Sequence, residues 1–548
     1  MLYNKFVKET VNESGQLTSV EYIIPDDFNF GFDIVDKIAE QTPDKLAMLW
    51  CNEAGDERRL SFKDISENSN RVANYFVSLG IKSGDKVMLV LKRHFEFWFA
   101  IVALHKIGAV AIPATHLLME HDLLYRFQSA GVSAIVCTAD GELADEVEKA
   151  EKSYDGLKTK IIARVKKDGW RNFDEAYAFS PTFVPAKRNS KNDIMIMYFT
   201  SGTTGYPKIA AHSYTYPFGH FITAKWWHNV DPNGLHFTIA DTGWGKAVWG
   251  KLYGQWIMEA AVLTYDFDKF KPDEMLKIME KYKITTFCAP PTIYRFFIKE
   301  DLSKYNLRAL KYATIAGEAL NPEVFKQFKQ ATGVSLMEAF GQTETTVTIG
   351  NFLNTEPRPG SMGKPSPQYN VRLVDNDGND VGTGEVGEIV IKEDCKCGLF
   401  LGYYMMPEKT AEVWHDGYYH TGDTAWRDEE GYFWYEGRVD DLIKSSGYRI
   451  GPFEIESILM EHPSVLECAV TGVPDPIRGQ LVKATVVLTK NALPTEQLKK
   501  QLQNYVKEHT APYKYPRIIE FVKELPKTIS GKIKRAELRK RDKENDKT

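Results

Sequence analysis

The sequence predicts an α/β fold, with a large N-terminal domain of helix-covered sheets and a small α+β C-terminal domain. Between residues 67 and 112 the hydrophobic pattern changes from amphipathic helix to apolar strand, then to a helix at 95–107 and a second strand. Short apolar runs predict strands at 85–91, 110–112, 134–136, 284–287 and 313–316. Helices that alternate with such strands are typical of a mostly parallel sheet.

The hydrophobic pattern changes in the last third of the chain. From 371 to 391, and again from 428 to 435, polar and apolar residues alternate around turn signals. This alternation predicts a smaller β region that is antiparallel or barrel-like. Beyond it, the pattern predicts helices at 452–461 and 496–508 and strands at 468–473, 483–488 and 518–522. We therefore expect one domain at 1–439 and a second at 440–548.

Charged residues dominate the C-terminal end, from residue 532 to residue 548. Such a run has little apolar surface to bury. We therefore expect the chain beyond about Leu538 to be solvated or disordered.

Composition limits the partners of the protein. Its 548 residues include 69 Lys and Arg against 74 Asp and Glu, so the net charge of −5 gives no general attraction for nucleic acid or an anionic membrane. No apolar run approaches the about 18 residues of a membrane-spanning helix, and the first residues lack the features of a signal or transit peptide. We expect a cytoplasmic protein without a membrane span.

The six cysteines are scattered along the chain, as expected in a reducing compartment. Cys395 and Cys397 are separated by one residue, which leaves a metal or redox role open, although we see no second Cys/His cluster in the sequence. We prefer the interpretation that they are two ordinary loop thiols.

The stretch YFTSGTTGYPK at 198–208 is rich in hydroxyls and glycines. Its backbone N–H groups, its hydroxyl donors and Lys208 are suited to enclosing phosphate oxygens. The spacing does not fit a Walker A loop, because Gly205 and Lys208 are not adjacent, and it does not fit the G-x-G-x-x-G pattern either. Taken alone, the stretch is more typical of a flexible surface turn.

Later motifs change that interpretation. Seven motifs follow one another along the chain: YFTSGTTGYPK (198–208), AGEAL (316–320), AFGQTET (339–345), YHTGD (419–423), GRVDD (437–441), SGYRIG (446–451) and PKTISGK (526–532). In this order and spacing they resemble the adenylate-forming enzymes, a superfamily of acyl-CoA synthetases, peptide-synthetase adenylation domains and luciferases. The resemblance spans about residues 32–535, and SSGYRIGPFEIES and APYKYPR look most like the medium-chain acyl-CoA synthetase branch.

The resemblance implies an acid–thiol ligase that uses ATP, CoA and a small carboxylic acid. The carboxylate attacks the α-phosphorus of ATP to give acyl-AMP and pyrophosphate, and the CoA thiol then displaces AMP. Mg²⁺ is expected with the ATP, and Glu344 offers the oxygen ligand that this ion prefers. Because Lys532 and the Gly447 loop would serve different half-reactions, we expect the small domain to be mobile and to rotate about a hinge at Asp440.

The resemblance also assigns site residues. Thr343, Glu344 and Lys532 are the predicted catalytic residues, with Glu344 as the metal ligand and Lys532 stabilising charge on the α-phosphate. Phe340 would stack on the adenine, and Asp423 would accept hydrogen bonds from the ribose hydroxyls. The predicted ATP-binding set is Thr200, Ser201, Gly202, Thr203, Thr204, Gly205, Lys208, Gly317, Glu318, Ala319, Glu338, Ala339, Phe340, Gly341, Gln342, Thr343, Asp423, Arg438 and Lys532.

Two further sets concern CoA and the acid. The predicted CoA-binding residues are Ser446, Gly447, Tyr448, Arg478, Lys507, Tyr515 and Arg517, and the predicted acyl-pocket residues are Trp244, Lys246, Gly341 and Arg449. Acetate-specific relatives carry Trp at the position of Gly341, so Gly is expected to leave room for a longer or branched chain. Lys246 replaces the apolar residue usual in medium-chain relatives and could narrow the pocket, pair with a polar acyl group or contact CoA.

We therefore expect a short- to medium-chain fatty acid as the substrate, with α-branched acids among the candidates and acetate a poor one. An enzyme that loads a carrier protein and an acetyl- or propionyl-CoA synthetase are the alternatives. A nucleotide-sensing scaffold with a degenerate site is disfavoured, because every predicted chemical position is intact: Lys208, Glu344, Asp423, Arg438 and Lys532.

Overall fold

The computed structural model describes residues 1–200, 206–317, 320, 322–394, 397–446, 448–527 and 533–545, apart from the side chains of residues 449 and 543–545. It contains two helix-covered sheets, a third antiparallel sheet and a C-terminal sheet with a hydrophobic core of its own. A short antiparallel hairpin, Val7–Val11 with Leu17–Tyr22, precedes them. Among the helices of these ranges, none has the length and apolar composition that crossing a membrane requires.

The first sheet contains the strands predicted around residues 85–136. From edge to edge its strands are Gly402–Tyr403, Lys208–Ser213, Ile194–Thr200, Val110–Pro113, Lys86–Val90, Val132–Cys137, Thr159–Ile162 and Arg171–Asn172. All pairings from Ile194–Thr200 onward are parallel. The helices near these strands are Phe62–Ser78, Glu96–Ile107, Glu120–Ala130 and Leu143–Glu151. The last four residues of Lys86–Val90 are buried, as expected for a parallel sheet with helices on both faces.

The second sheet brings two of the motifs together. From edge to edge its strands are Lys364–Pro365, Ile349–Gly350, Leu336–Phe340, Tyr312–Ala316, Thr286–Ala289, Leu235–Thr238, Ala261–Asp266, Leu46–Asn52 and Glu57–Ser61. The pairings from Leu336–Phe340 to Leu46–Asn52 are parallel, and Ala316 pairs with Ala339. Since parallel strands end at the same edge of a sheet, AGEAL and AFGQTET lie side by side there.

Helices and large aromatic side chains join the two sheets. One hydrophobic cluster includes Val87 of the first sheet, Met48 of the second, and the fully buried Trp98, Trp227 and Trp256. The remaining helices of this region are Lys37–Gln41, Tyr216–Ile222, Gly245–Lys251, Tyr253–Ile257, Pro272–Lys281, Pro291–Phe297 and Pro322–Thr332. The predicted α/β layering of the large domain is therefore confirmed.

The third sheet is antiparallel, as predicted, but it is open. Its strands run in the order Val371–Val374, Gly387–Lys392, Tyr418–Arg427 and Trp414–His415, and Phe433–Arg438 also pairs with Tyr418–Arg427. No pairing within the described ranges closes it into a barrel. Closure is unnecessary, because a cluster that contains Leu373, Ile389 and Phe433 covers one face by packing on Ile349 of the second sheet. The short helix Pro407–Ala411 precedes the Trp414–His415 strand.

The C-terminal region has the predicted α+β composition. Its strands are Ile443–Ser445, Tyr448–Ile450, Val465–Asp475, Gly479–Leu488 and Ile518–Val522, and its helices are Pro452–Glu461, Glu496–His509 and Arg535–Asn545. Their apolar faces form a cluster distinct from those of the large domain, with Ile455, Val470 and Leu502 among its buried members. A separate core is consistent with a second domain, whose boundary at residue 440 stays a prediction.

The expectation of a solvated or disordered tail beyond Leu538 is wrong up to residue 545. The chain continues as the helix Arg535–Asn545, in which Leu538 is 2% exposed. Lys483 Nζ donates to Asp542 at 2.5 Å, and Arg541 pairs with Glu520 at 3.0 Å. Arg541 and Asp542 of this helix are thus paired with opposite charges on neighbouring strands, and composition alone does not predict such pairs.

Candidate active site

The phosphate-loop stretch connects two paired strands. Thr200, which is buried, ends one strand and Lys208 begins the next, and these two residues are antiparallel partners. The ends of the loop are thus held together by the sheet. The predicted loop residues Ser201, Gly202, Thr203, Thr204 and Gly205 lie outside the described residues.

A phenol joins the predicted lysine to the predicted metal ligand. Lys208 Nζ donates to Tyr403 Oη at 2.8 Å, and Tyr403 donates to Glu344 Oε1 at 2.9 Å. Lys208 Nζ also lies 4.1 Å from the centre of the Tyr403 ring. Burial lowers the pKa of Lys208, whereas the nearby carboxylate of Glu344, which is 8% exposed, acts against that shift. Sequence reasoning missed Tyr403, because a tyrosine in a short edge strand has no motif around it.

Thr343 is held by a histidine that the motifs did not include. His212 Nε2 lies 2.8 Å from the Thr343 carbonyl oxygen, so Nε2 carries the donated hydrogen. The His212 ring stacks on Tyr216 with centroids 4.0 Å apart. Burial lowers the pKa of His212 to about 4, so the imidazole is neutral at pH 7. His212 is the next-to-last residue of the strand Lys208–Ser213 and lies outside the seven motifs, so the sequence alone did not single it out.

The predicted ribose residues form a network. Asp423 is antiparallel partner to Arg438, whose Nη1 donates to Asp423 Oδ2 at 3.4 Å. The amide of Gln342 also donates to Oδ2, and Tyr435 donates to Oδ1 at 2.7 Å. Tyr419 in turn donates to the Gln342 amide oxygen at 2.6 Å. Donors on both oxygens fix the orientation of the Asp423 carboxylate.

The predicted adenine residues surround a buried carboxyl group. Glu338 is 4% exposed, accepts a hydrogen bond from Leu320 N–H at 3.2 Å through Oε1, and has no partner for Oε2 among the described residues. Burial raises the pKa of Glu338 to about 8, so the group is protonated at neutral pH. Gly317 has φ 110°, and a Cβ added to it would meet no atom of the described residues within 4 Å. Glu318 and Ala319 lie outside the described residues.

Phe340 and Ala339 end the same strand as Glu338. Ala339 is buried, whereas Phe340 is only partly buried and packs on Tyr435 with ring centroids 6.1 Å apart. Phe340 is thus not fully covered, and it contacts Tyr435, which donates to Asp423. This position is compatible with the predicted stacking on a base.

The space beside Gly341 is not open, contrary to the prediction. A Cβ built on Gly341 would lie 2.5 Å from Trp249 Cη2 and 2.4 Å from the Thr346 carbonyl oxygen. Gly341 therefore allows the Trp249 ring to approach the backbone, and does not by itself lengthen the acyl pocket. Trp249 was missed, although it lies three residues after Lys246 and thus on the same face of the helix Gly245–Lys251.

The other acyl-pocket residues have different surroundings. Trp244 occupies the N-cap position of that helix without a capping hydrogen bond from its side chain, and it is partly buried. Lys246 Nζ donates to the Ala316 carbonyl oxygen at 2.7 Å. This bond holds the Lys246 side chain at the end of the strand Tyr312–Ala316, next to Gly317. His220 lies next to Trp249, with ring centroids 5.9 Å apart. It is fully buried, and neither of its ring nitrogens has a hydrogen-bond partner among the described residues. The side chain of Arg449 is not described, and its backbone pairs with Lys444.

The predicted CoA residues form two surface groups. Arg478 Nη1 donates to Ser446 Oγ at 3.4 Å, and Tyr448 stacks on Tyr513 with centroids 4.1 Å apart. In the second group, Lys507 and Arg517 lie 4.1 Å and 4.9 Å from the ring centre of Tyr515. Gly447 lies outside the described residues.

The predicted hinge residue, Asp440, has weaker contacts than Asp441, which follows it. Asp440 is exposed and lies 3.6 Å from Arg438 Nε, whereas Asp441 is buried and accepts a hydrogen bond from Arg539 of the C-terminal helix. Lys532 lies outside the described residues, whereas Lys527 and Ile533, on either side of that gap, form an antiparallel bridge.

Comparisons with known proteins match this architecture. The family model described as AMP-binding enzyme matches residues 35–404, and the one described as AMP-binding enzyme C-terminal domain matches residues 454–532. The chain belongs to the AMP-binding enzyme family. Its members include a human relative named acyl-coenzyme A synthetase ACSM3, mitochondrial, which is 41% identical over 531 residues, covering 95% of this chain and 90% of the relative. A mouse relative named ACSM4, also mitochondrial, is 40% identical over 542 residues, covering 97% and 93%.

Solved structures of AMP-binding enzymes have the same fold. The anthranilate CoA ligase AuaEII in complex with anthranoyl-AMP has a TM-score of 0.87 at 29% identity, covering 96% of this chain and 99% of that one. A benzoate CoA ligase from Burkholderia xenovorans LB400 has a TM-score of 0.81 at 27% identity, covering 93% and 100%. The resemblance inferred from the seven motifs is thus confirmed. Because the curated relatives are named as mitochondrial, the cytoplasmic location stays a prediction.

Proposed function

We propose that this protein is an ATP-dependent, AMP-forming acyl-CoA synthetase. The observation that carries the proposal is the hydrogen-bonded chain from Lys208 through Tyr403 to Glu344, which places a cation and a carboxylate at the end of the 201–205 loop. A cation there suits the pyrophosphate of ATP, and the carboxylate suits its metal ion. The names of relatives as an acyl-coenzyme A synthetase and a benzoate CoA ligase support the same reaction class.

In the first half-reaction the large domain would hold ATP and the acid. Lys208 attracts the β- and γ-phosphates, and the Thr343 hydroxyl donates to the α-phosphate or to the attacking carboxylate. Asp423, held by donors on both oxygens, accepts from the ribose hydroxyls. The protonated Glu338 carboxyl offers one O–H donor to a group that lies in the space beside Gly317.

Glu344 fits a Mg²⁺ ion, because Mg²⁺ in such sites takes one or two carboxylates together with phosphate oxygens and water. Tyr403 donates to Oε1 of this carboxylate and so orients it. When bound, the ion would neutralise charge on the phosphates as the α-phosphorus is attacked.

In the second half-reaction the small domain would turn about Asp440. The exposed, weakly paired Asp440 next to the firmly held Asp441 supports this position for a change of backbone conformation. Turning would withdraw Lys532 and bring Ser446 and Tyr448 towards the acyl-AMP. The cations Arg478, Lys507 and Arg517 would then meet the phosphates of CoA.

For the acid, we propose a short- to medium-chain fatty acid, with α-branched acids included and acetate a poor substrate. Trp249 lies against Gly341, where the resemblance implies the wall of the pocket, and this contact supports Trp249 as the end of the pocket. The anchoring of Lys246 on the Ala316 carbonyl favours a structural role for this lysine over pairing with an acyl group.

A carboxylate panel tests the proposed function. Purified protein with ATP, Mg²⁺ and CoA is incubated with straight acids from two to ten carbons, with α-branched acids and with benzoate, and acyl-CoA and AMP are measured by chromatography. We expect acyl-CoA from acids of intermediate length, with AMP in equal amount. Formation of acyl-AMP without any thioester would refute the assignment and favour an enzyme that loads a carrier protein.

A further inference from the structure

The hairpin that leads to the YHTGD motif carries two histidines and an aspartate that face one another. His415 pairs across the hairpin with Tyr418, so His415 and His420 are diagonal neighbours on one face. Their rings stack with centroids 3.7 Å apart and planes 18° apart. Asp416 occupies the turn with φ 54°. One potential ligand atom from each of the three residues lies within 4.8 Å of the other two.

His420, the less exposed of the two histidines, is hydrogen-bonded to a carboxylate. His420 Nδ1 lies 3.1 Å from Glu388 Oε2, and Glu388 Oε1 accepts from the Gly422 backbone N–H at 2.9 Å. Since a carboxylate accepts, Nδ1 of His420 carries a hydrogen and Nε2 keeps its lone pair. Metal-binding histidines commonly donate their second N–H to a carboxylate in this way, which orients the ring and makes the ligand nitrogen more basic.

His415 and Asp416 are exposed, so their side chains can rotate to become ligands of the same ion as His420. The side chains of His415 and Asp416 are 45% and 87% exposed, and His415 Nδ1 lies 2.9 Å from Asp416 Oδ2. Because the two imidazole planes are stacked 18° apart, their in-plane lone pairs do not meet at one point. Binding one ion therefore requires the exposed His415 side chain to rotate out of the stack, to a position where ligand atoms about 3.4 Å apart surround an ion with bonds of about 2.1 Å. Water can supply a fourth ligand.

We propose that His415, Asp416 and His420 form a binding site for a transition-metal ion such as Zn²⁺ or Ni²⁺, with Glu388 orienting His420. Two imidazoles and one carboxylate suit these ions and not Mg²⁺, which prefers oxygen ligands. A bound ion ties the hairpin to the strand Gly387–Lys392 through His420 and Glu388. The site lies outside the proposed ATP and CoA residues, so the inference does not depend on the proposed function.

The test measures Ni²⁺ binding to the full-length protein after chelator treatment, by competition with a chromophoric chelator, together with the thermal midpoint. We expect one ion per chain and a midpoint that rises with Ni²⁺. His415→Ala and His420→Ala should each weaken this binding about 100-fold or more, and Glu388→Gln about 10- to 100-fold. The metal-free midpoint of each variant checks its folding.

Two control variants separate this site from other ligands. His121 is an exposed histidine beside Asp122, at 3.6 Å, so His121→Ala removes a similar pair elsewhere and should leave the binding unchanged. Cys395→Ser removes the thiol of the Cys395-Lys396-Cys397 stretch and should also leave it unchanged. Equal Ni²⁺ binding in the wild type and in the His415 and His420 variants would overturn the proposal, as would loss of the ion in either control.

Discussion

Replacing Glu338 with glutamine tests whether the carboxyl group of the predicted adenine pocket is neutral in the folded protein. Burial raises the pKa of Glu338 from 4.5 to about 8. Leu320 N–H donates to Oε1, and no cation among the described residues is hydrogen-bonded to the group. A glutamine amide keeps the accepting oxygen and needs no proton to be neutral.

The magnitude follows from proton uptake. Between pH 4.5 and about 8 the folded state binds a proton that the unfolded state has released, so wild-type stability falls as the pH rises through this window. At pH 7, keeping Glu338 protonated lowers the free energy of unfolding by at most about 3.4 kcal/mol. This figure is the difference of about 2.5 units between pH 7 and the unfolded pKa, at about 1.36 kcal/mol per unit. Glu338→Gln avoids this cost, so the variant should be about 2 to 3 kcal/mol more stable at pH 7 and nearly equal to wild type at pH 4.5.

Urea denaturation between pH 4.5 and pH 8, followed by the fluorescence of the buried tryptophans Trp98, Trp227 and Trp256, measures the free energy of unfolding of the large domain. The exposed Glu408 on the helix Pro407–Ala411 provides the control, and Glu408→Gln should keep the wild-type pH dependence. Parallel curves for wild type and Glu338→Gln, or a variant that is less stable at pH 7, would refute the reasoning that Glu338 is buried and neutral.

Three further substitutions test the proposed mechanism. Tyr403→Phe should slow acyl-AMP formation about 10- to 100-fold, measured by pyrophosphate release, and an unchanged rate would contradict the role of this phenol. Trp249→Ala should raise kcat/KM for longer acids about 4-fold per buried methylene, whereas an unchanged chain-length profile would place the pocket end elsewhere. Lys532→Ala should slow adenylation about 100-fold or more but largely spare thioester formation from supplied acyl-AMP, and equal loss in both steps would count against domain rotation.

Several predicted nucleotide residues lie in separate motifs, and the structure shows that they are neighbours. Gln342, Asp423 and Arg438 were assigned from three separate motifs, and the structure joins them in one hydrogen-bonded network. Tyr403 and Tyr435, which donate to Glu344 and Asp423, were missed. An aromatic residue within a strand has the same pattern whether it fills a core or orients a carboxylate, so hydrophobic periodicity cannot separate the two.

The surroundings of Gly341 differ from those expected, whereas the acyl-pocket residues themselves stay a prediction. The prediction treated Gly341 as free space, and the structure fills that space with a ring from another segment, Trp249. Similarly, the histidine pair was not recognised as a cluster in the sequence. His415 and His420 are five residues apart, and only the hairpin register puts them face to face, with Glu388 of the next strand behind them.

The sequence by itself determined the layering of the large domain, the α+β composition of the small one and the family, and it supplied most residues of the proposed nucleotide site. These follow from local periodicity and from motifs that are contiguous along the chain. Only the tertiary structure decided that Tyr403 bridges Lys208 and Glu344, that Trp249 meets Gly341, and that Asp542 pairs with Lys483. Such contacts join distant segments, and they depend on strand order and register, which no local pattern specifies.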